Sequence, residues 1–107
     1  MSNGQKQPER ETGFKVYHLE YTDGTIELGL SYVHRAYLNF LADHGGEQRF
    51  DYSKLTESQR AHIRELIKPL CLITEHESVG DRIDLVIHRL TDAGRNIATV
   101  IKQDGGP

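Results

Sequence analysis

The chain predicts an α+β domain, and three observations carry that reading. Between Phe14 and Leu30 the stretch GFKVYHLEYTDGTIELGL alternates apolar and polar residues on either side of an Asp-Gly pair. Two later segments place apolar residues at helical spacing behind Ser or Thr. The last third, Leu70 to Lys102, runs as an apolar strand, a polar turn with a Gly, a second alternating strand and a Thr-capped amphipathic helix.

The chain has 107 residues, 36% of them apolar, which suits one core and one domain over residues 13–102. Residues 1–12, MSNGQKQPERET, are too polar to bury enough surface to offset ordering, and 103–107, QDGGP, stop the last helix; both read as disordered tails. Thirteen Lys plus Arg stand against sixteen Asp plus Glu, a net charge of −3, which argues against a non-specific nucleic-acid coat but leaves site-specific contact open. The lone Cys71 has no internal disulfide partner, and no apolar run approaches the roughly 18 residues of a membrane span. A reducing cytoplasm and no membrane partner are expected.

The hairpin comes first, over residues 14–30. An Asp23-Gly24 turn would set Thr22 opposite Thr25, Tyr21 opposite Ile26, Leu19 opposite Leu28 and Tyr17 opposite Leu30. Tyr17, Leu19, Tyr21, Ile26, Leu28 and Leu30 then share one face, which must be covered by this chain's helices or by a second subunit. His18, Glu20, Thr22, Thr25 and Glu27 share the other. Glu20 would face Glu27 with His18 nearby, a like-charge pair that a metal or a basic partner would offset; the ordinary reading is a solvated face.

Ser31 caps a helix expected over 32–43, closed by Gly45-Gly46, with Val33, Ala36, Tyr37, Phe40 and Leu41 as its buried stripe. His34 and His44 flank it as surface or capping residues. Residues 47–55, EQRFDYSKL, hold a brief strand around Phe50 and at most one or two helical turns, anchored by their aromatic rings. Thr56 and Gln59 match a capping box for a second helix over 56–70. Ile63, Leu66, Ile67 and Leu70 turn inward there, and Pro69 lies close to the end. Glu57, Ser58, Ala61, Arg64, Glu65 and Lys68 turn outward, with Arg60 and His62 on the flanks. From Lys54 to Lys68 four cations oppose two carboxylates, a local excess of two. A hairpin over 71–89 and a helix over 91–102, with Ile97, Val100 and Ile101 inside, complete the chain.

From about Val33 to Val100 this order resembles winged-helix transcription regulators of the MarR type. A helix ends in HGG, a second reads TESQRAHIRELIKPLCLI, a hairpin follows, and Leu90-Thr91-Asp92-Ala93-Gly94-Arg95 is similar to the LT-x-x-G-[RK] element of that family. Asp81-Arg82 sits where those proteins often carry Asp-Arg-Arg. The resemblance implies a winged helix-turn-helix-like domain with an added amino-terminal hairpin, binding duplex DNA as a homodimer. It makes Thr56 to Lys68 the reading helix, with Lys54, Ser58, Arg60, Ala61, Arg64 and Lys68 toward the major groove, and Arg82 reaching from the wing. The chain departs from the family pattern in the short segment 47–55, in the acidic wing (Glu75, Glu77, Asp81 and Asp84) and in carrying a hairpin where a dimerisation helix is usual. The exposed remainder of the hairpin face and the closing helix are the candidate dimer surfaces. A winged-helix module that has given up DNA and binds protein through the acidic wing and the exposed parts of the amino-terminal hairpin is the alternative.

No nucleophile elbow, phosphate-cradling loop or paired-histidine zinc helix occurs, so no enzyme activity, catalytic residue or cofactor is expected. Cys71, between Leu70 and Leu72, reads as a buried structural thiol. His62, His76 and His88 fit no ligand spacing with Cys71 or Glu75, and no metal is assigned.

Overall fold

The computed structural model describes residues 13–21, 23–77 and 85–107, with the side chain of Tyr21 left out. Strands β1 (Lys15–Tyr21) and β2 (Gly24–Leu30) pair antiparallel. Their register differs by two residues from the expected one: Tyr21 faces Gly24, Leu19 faces Ile26, and Tyr17 faces Leu28. A two-residue slip leaves every side chain on its original face, so Tyr17, Leu19 and Leu30 are buried as the alternation requires. The slip also removes the anticipated clash of carboxylates. Glu20 lies opposite Thr25, and His18 lies opposite Glu27, its Nε2 3.3 Å from the Glu27 carboxylate. On the same face Gly29 lets the Phe14 ring lie flat on the strand; a Cβ there would come within 2.6 Å of Phe14 Cε2.

Helix α1 (Tyr32–Asp43) starts where Ser31 accepts the His34 amide and ends at His44. Gly45 and Gly46 then take φ of 79° and 86°, and the Gly46 amide returns to the Leu41 carbonyl at 2.7 Å. Tyr37 and Leu41 are buried as expected, but the rest of the stripe is rotated. Leu38 is fully enclosed in place of Val33 and Phe40, which are 47% and 39% exposed. The rotation follows from what the helix packs on: its inner face also carries Arg35, which reaches the carbonyls of Gly13 and of Leu30 (2.8 Å) and ties helix to hairpin.

Strand β3 (Glu47–Asp51) and one 3-10 turn (Tyr52–Lys54) fill the connecting segment, as its composition suggested. Helix α2 (Glu57–Glu65) has the expected capping box, with Thr56 Oγ1 taking the Gln59 amide and Gln59 Oε1 taking the Thr56 amide. It stops at Glu65 rather than running to Leu70. Pro69 has no N–H to offer the Glu65 carbonyl and disfavours helical backbone at Lys68. The Glu65 carbonyl instead accepts from the Lys68 amide at 3.3 Å and lies 2.9 Å from His34 Nε2. Leu70 consequently faces out, 63% exposed, and Cys71 is exposed rather than buried.

Strands β4 (Ile73–Glu77) and β5 (Leu85–Leu90) pair antiparallel, and β3 lies on the other side of β5, giving the order β3-β5-β4. Helix α3 (Asp92–Gln103) closes the chain behind Thr91, whose hydroxyl takes the Gly94 amide at 3.0 Å and donates to the Cys71 carbonyl at 2.6 Å. The Thr91 amide also bonds the Leu72 carbonyl. Gly94 is required by this close approach: a Cβ would collide with the Leu72 carbonyl oxygen. Inside α3 lie Gly94, Ile97, Ala98 and Ile101; Val100, expected inside, is exposed. Gly106 bonds back to the Ile101 carbonyl at the helix end. One core joins Tyr17, Leu19 and Leu30 of the hairpin to Leu38 and Leu41 of α1, Leu66, Leu72, Ile73 and Leu90, and Ile97 and Ile101 of α3. Among the described residues no helix is long and apolar enough to cross a membrane. The amino-terminal tail and the wing tip lie outside the described residues.

Candidate nucleic-acid interface

Helix α2 rests on the body through Ile63 and Leu66 and turns its remaining residues outward. Ser58, Ala61, Arg64 and Glu65 are exposed, as their helical positions require, and so are Lys54 on the preceding turn and Lys68, which falls beyond the end of α2. Their charges are not equally available. Lys68 Nζ is held 3.0 Å from Glu65, three residues back on the same face. Arg60 is half-buried, donating from Nε and Nη2 to the Tyr52 carbonyl at 2.9 and 2.6 Å. Arg64 lies over the Tyr52 ring, 5.8 Å from its centroid, and Arg60 flanks the same ring at 6.0 Å. Among the described residues no carboxylate lies within ion-pair reach of Lys54, Arg60 or Arg64. Of the seven residues expected at the interface, Lys54, Ser58, Ala61, Arg64 and Lys68 are exposed and Arg60 is half-buried; Arg82 lies outside the described residues.

Beside this face, Phe50, Leu55, Ser58, Gln59, His62 and Ile63 border an open groove of about 480 Å³ between β3 and the start of α2. At the wing base β5 turns Val86, His88 and Leu90 inward. His88 is completely buried, a position that sequence reasoning considered only for metal binding. Its Nε2 is 3.2 Å from the Glu75 carboxylate on β4, and its Nδ1 is 2.8 Å from the Tyr37 hydroxyl on α1. An ionised carboxylate only accepts, so Nε2 carries the proton and Nδ1 accepts from Tyr37. The Phe50 ring meets the imidazole edge-on at 4.9 Å. The Tyr52 hydroxyl reaches the same Glu75 oxygen at 3.5 Å.

Burial holds His88 below its ordinary value, against the opposing pull of Glu75. Burial raises Tyr37 and, together with Glu75, raises Tyr52. Glu47, which receives hydrogen bonds from Arg89 and Arg49, is lowered. Of His62, His76, His88, Cys71 and Glu75, candidates weighed as metal ligands and not assigned, only His88 and Glu75 meet, and among the described residues no group of three His, Cys, Asp or Glu able to hold a metal forms.

The network was missed because its members are far apart in the chain, Tyr37 and His88 by 51 residues. The one local signal was the alternation LVIHRL, which puts His88 between two inward positions. Ile97 and Ile101 are spent in the core, so of the candidate dimer surface Ile26 on the hairpin and Val100 on α3 remain exposed. No protein-family model, curated protein or solved structure matches the chain.

Proposed function

We propose that this domain is a small winged-helix regulator that binds duplex DNA through the outward face of α2. The observation that carries the reading is Arg64: an exposed guanidinium on a capped helix, held over an aromatic ring and free of carboxylates among the described residues. The strand order β3-β5-β4, with α2 between β3 and the β4–β5 hairpin, supports the winged-helix frame. Ser58 and Lys54 supply phosphate contacts, Ala61 keeps the helix surface close to the groove, and Arg64 forks onto a base edge. Lys68 reaches phosphate by exchanging Glu65 for it. Two copies read two half-sites one helical turn apart.

Helix α2 has nine residues, and a 3-10 turn stands in place of the usual preceding helix. The contact is accordingly short, and affinity depends strongly on few cations. Selection from a randomised duplex library at low salt tests the reading. Enrichment of a sequence family by the wild type, lost in Arg64→Ala with Lys68→Ala, supports it; no enrichment at any salt contradicts it.

A second reading, a winged-helix module that binds protein, is favoured by one observation. Val33, Ala36 and Phe40 run along α1 at helical spacing, and Val33 and Phe40 are exposed. In that case Val33→Asp with Phe40→Asp abolishes partner capture and leaves duplex selection unchanged.

A further inference from the structure

Tyr52 sits in the 3-10 turn where a helix would otherwise precede α2, and three independent contacts converge on it. Its carbonyl accepts two hydrogen bonds from Arg60. Its ring is approached by the guanidinium groups of Arg60 and Arg64, with Cζ 6.0 and 5.8 Å from the centroid, and these two residues are four apart and so share one side of α2. Its hydroxyl points to Glu75, which is itself fixed by the buried His88 and through it by Tyr37. The turn is held by Asp51, whose carboxylate accepts from the Ser53 amide at 3.2 Å and hydroxyl at 2.6 Å.

We propose that Tyr52 is a positioning residue for the DNA-facing ridge, its ring fixing Arg64 in a binding-ready pose. The proposal rests on the DNA reading for its consequence. An exposed arginine samples many rotamers, and ordering it on a target costs conformational freedom; a planar guanidinium laid on a ring has already lost most of that freedom. Tyr52 thus adds affinity without touching DNA. It also explains why an aromatic residue occupies an otherwise polar turn.

The experiment combines a spectroscopic signal of the free protein with a salt titration of duplex binding. In the wild type the Arg64 Nε–Hε resonance is displaced by the Tyr52 ring current. Tyr52→Phe keeps that displacement and binds duplex within about twofold of wild type, while Tyr52→Leu loses the displacement and binds about tenfold more weakly. Because Tyr52→Leu still carries Arg64, its log K against log salt slope is unchanged; Arg64→Ala lowers the slope by about one. An Arg64 resonance at the random-coil position in the wild type overturns the proposal without any variant. So does wild-type affinity in a folded Tyr52→Leu, and in both cases the DNA reading stands. Absence of duplex binding by the wild type removes the DNA reading itself, and with it the positioning role.

Discussion

His88 lies wholly inside the protein with its imidazole bridging the Tyr37 hydroxyl and the Glu75 carboxylate, so β5, the central strand of the three-stranded sheet, is bonded to α1 on one side and to β4 on the other. The titratable or charged groups facing it are Tyr37, Glu75 and, across Glu75, Tyr52. Burial holds His88 below its ordinary 6.5. The unfolded chain therefore takes up a proton at this position before the folded chain does. Stability from this group is full above about pH 6.5 and is lost as pH falls below it toward the lower folded value. Urea melts from pH 7.5 to 5 should show the decline, and His88→Gln should flatten it. A wild-type curve with no slope across that interval contradicts the burial of a neutral imidazole.

Replacing His88 by Leu at neutral pH should cost about 1–3 kcal/mol, because the buried Tyr37 hydroxyl loses its acceptor. Tyr37→Phe in the same background should recover part of the loss. A double-mutant cycle measures that coupling, and additive losses would mean that the two groups do not meet.

Gly94→Ala should destabilise by about 1–3 kcal/mol, since the added methyl is driven into the Leu72 backbone and the Thr91 cap must shift. Gly94 has no positive φ to lose, so the collision alone predicts this loss, whereas Gly105→Ala, with open space but φ of 102°, would lose stability through backbone strain. Thermal melts check the prediction; a Gly94→Ala variant as stable as wild type would contradict the close approach.

On α1, Leu38→Ala should cost about 2–5 kcal/mol and Val33→Ala no more than about 0.5 kcal/mol in the isolated domain. The reverse order would restore the stripe that helical spacing alone suggests. Here the limits of the sequence are concrete. Spacing located α1, its Ser31 cap and the inward Tyr37 and Leu41, yet Val33 with Phe40 or Arg35 with Leu38 could each complete that stripe on one wheel. Only the long-range fit to Leu30, Ile73 and Ile101 selects the second. Likewise Asp-Gly marked the hairpin and its faces, but both registers bury the same residues. The cross-strand pairing of His18 with Glu27 distinguishes them. The Thr91 and Thr56 caps were legible because capping is local. The end of α2 was readable in principle from Pro69, while the His34 side chain that caps the Glu65 carbonyl comes from 31 residues away. Of the interface, helical geometry gave the outward side of α2; the holding of Arg60 and Arg64 by Tyr52 is tertiary and left no periodic trace.

Amide chemical-shift mapping of the labelled domain, titrated with a selected duplex at low and at moderate salt, tests the account most directly. The predicted result is a contiguous set of perturbations over Lys54, Ser58, Ala61, Arg64 and Lys68 that fades as salt rises. Perturbations confined to α1 around Val33 and Phe40, or none at any salt, would contradict it.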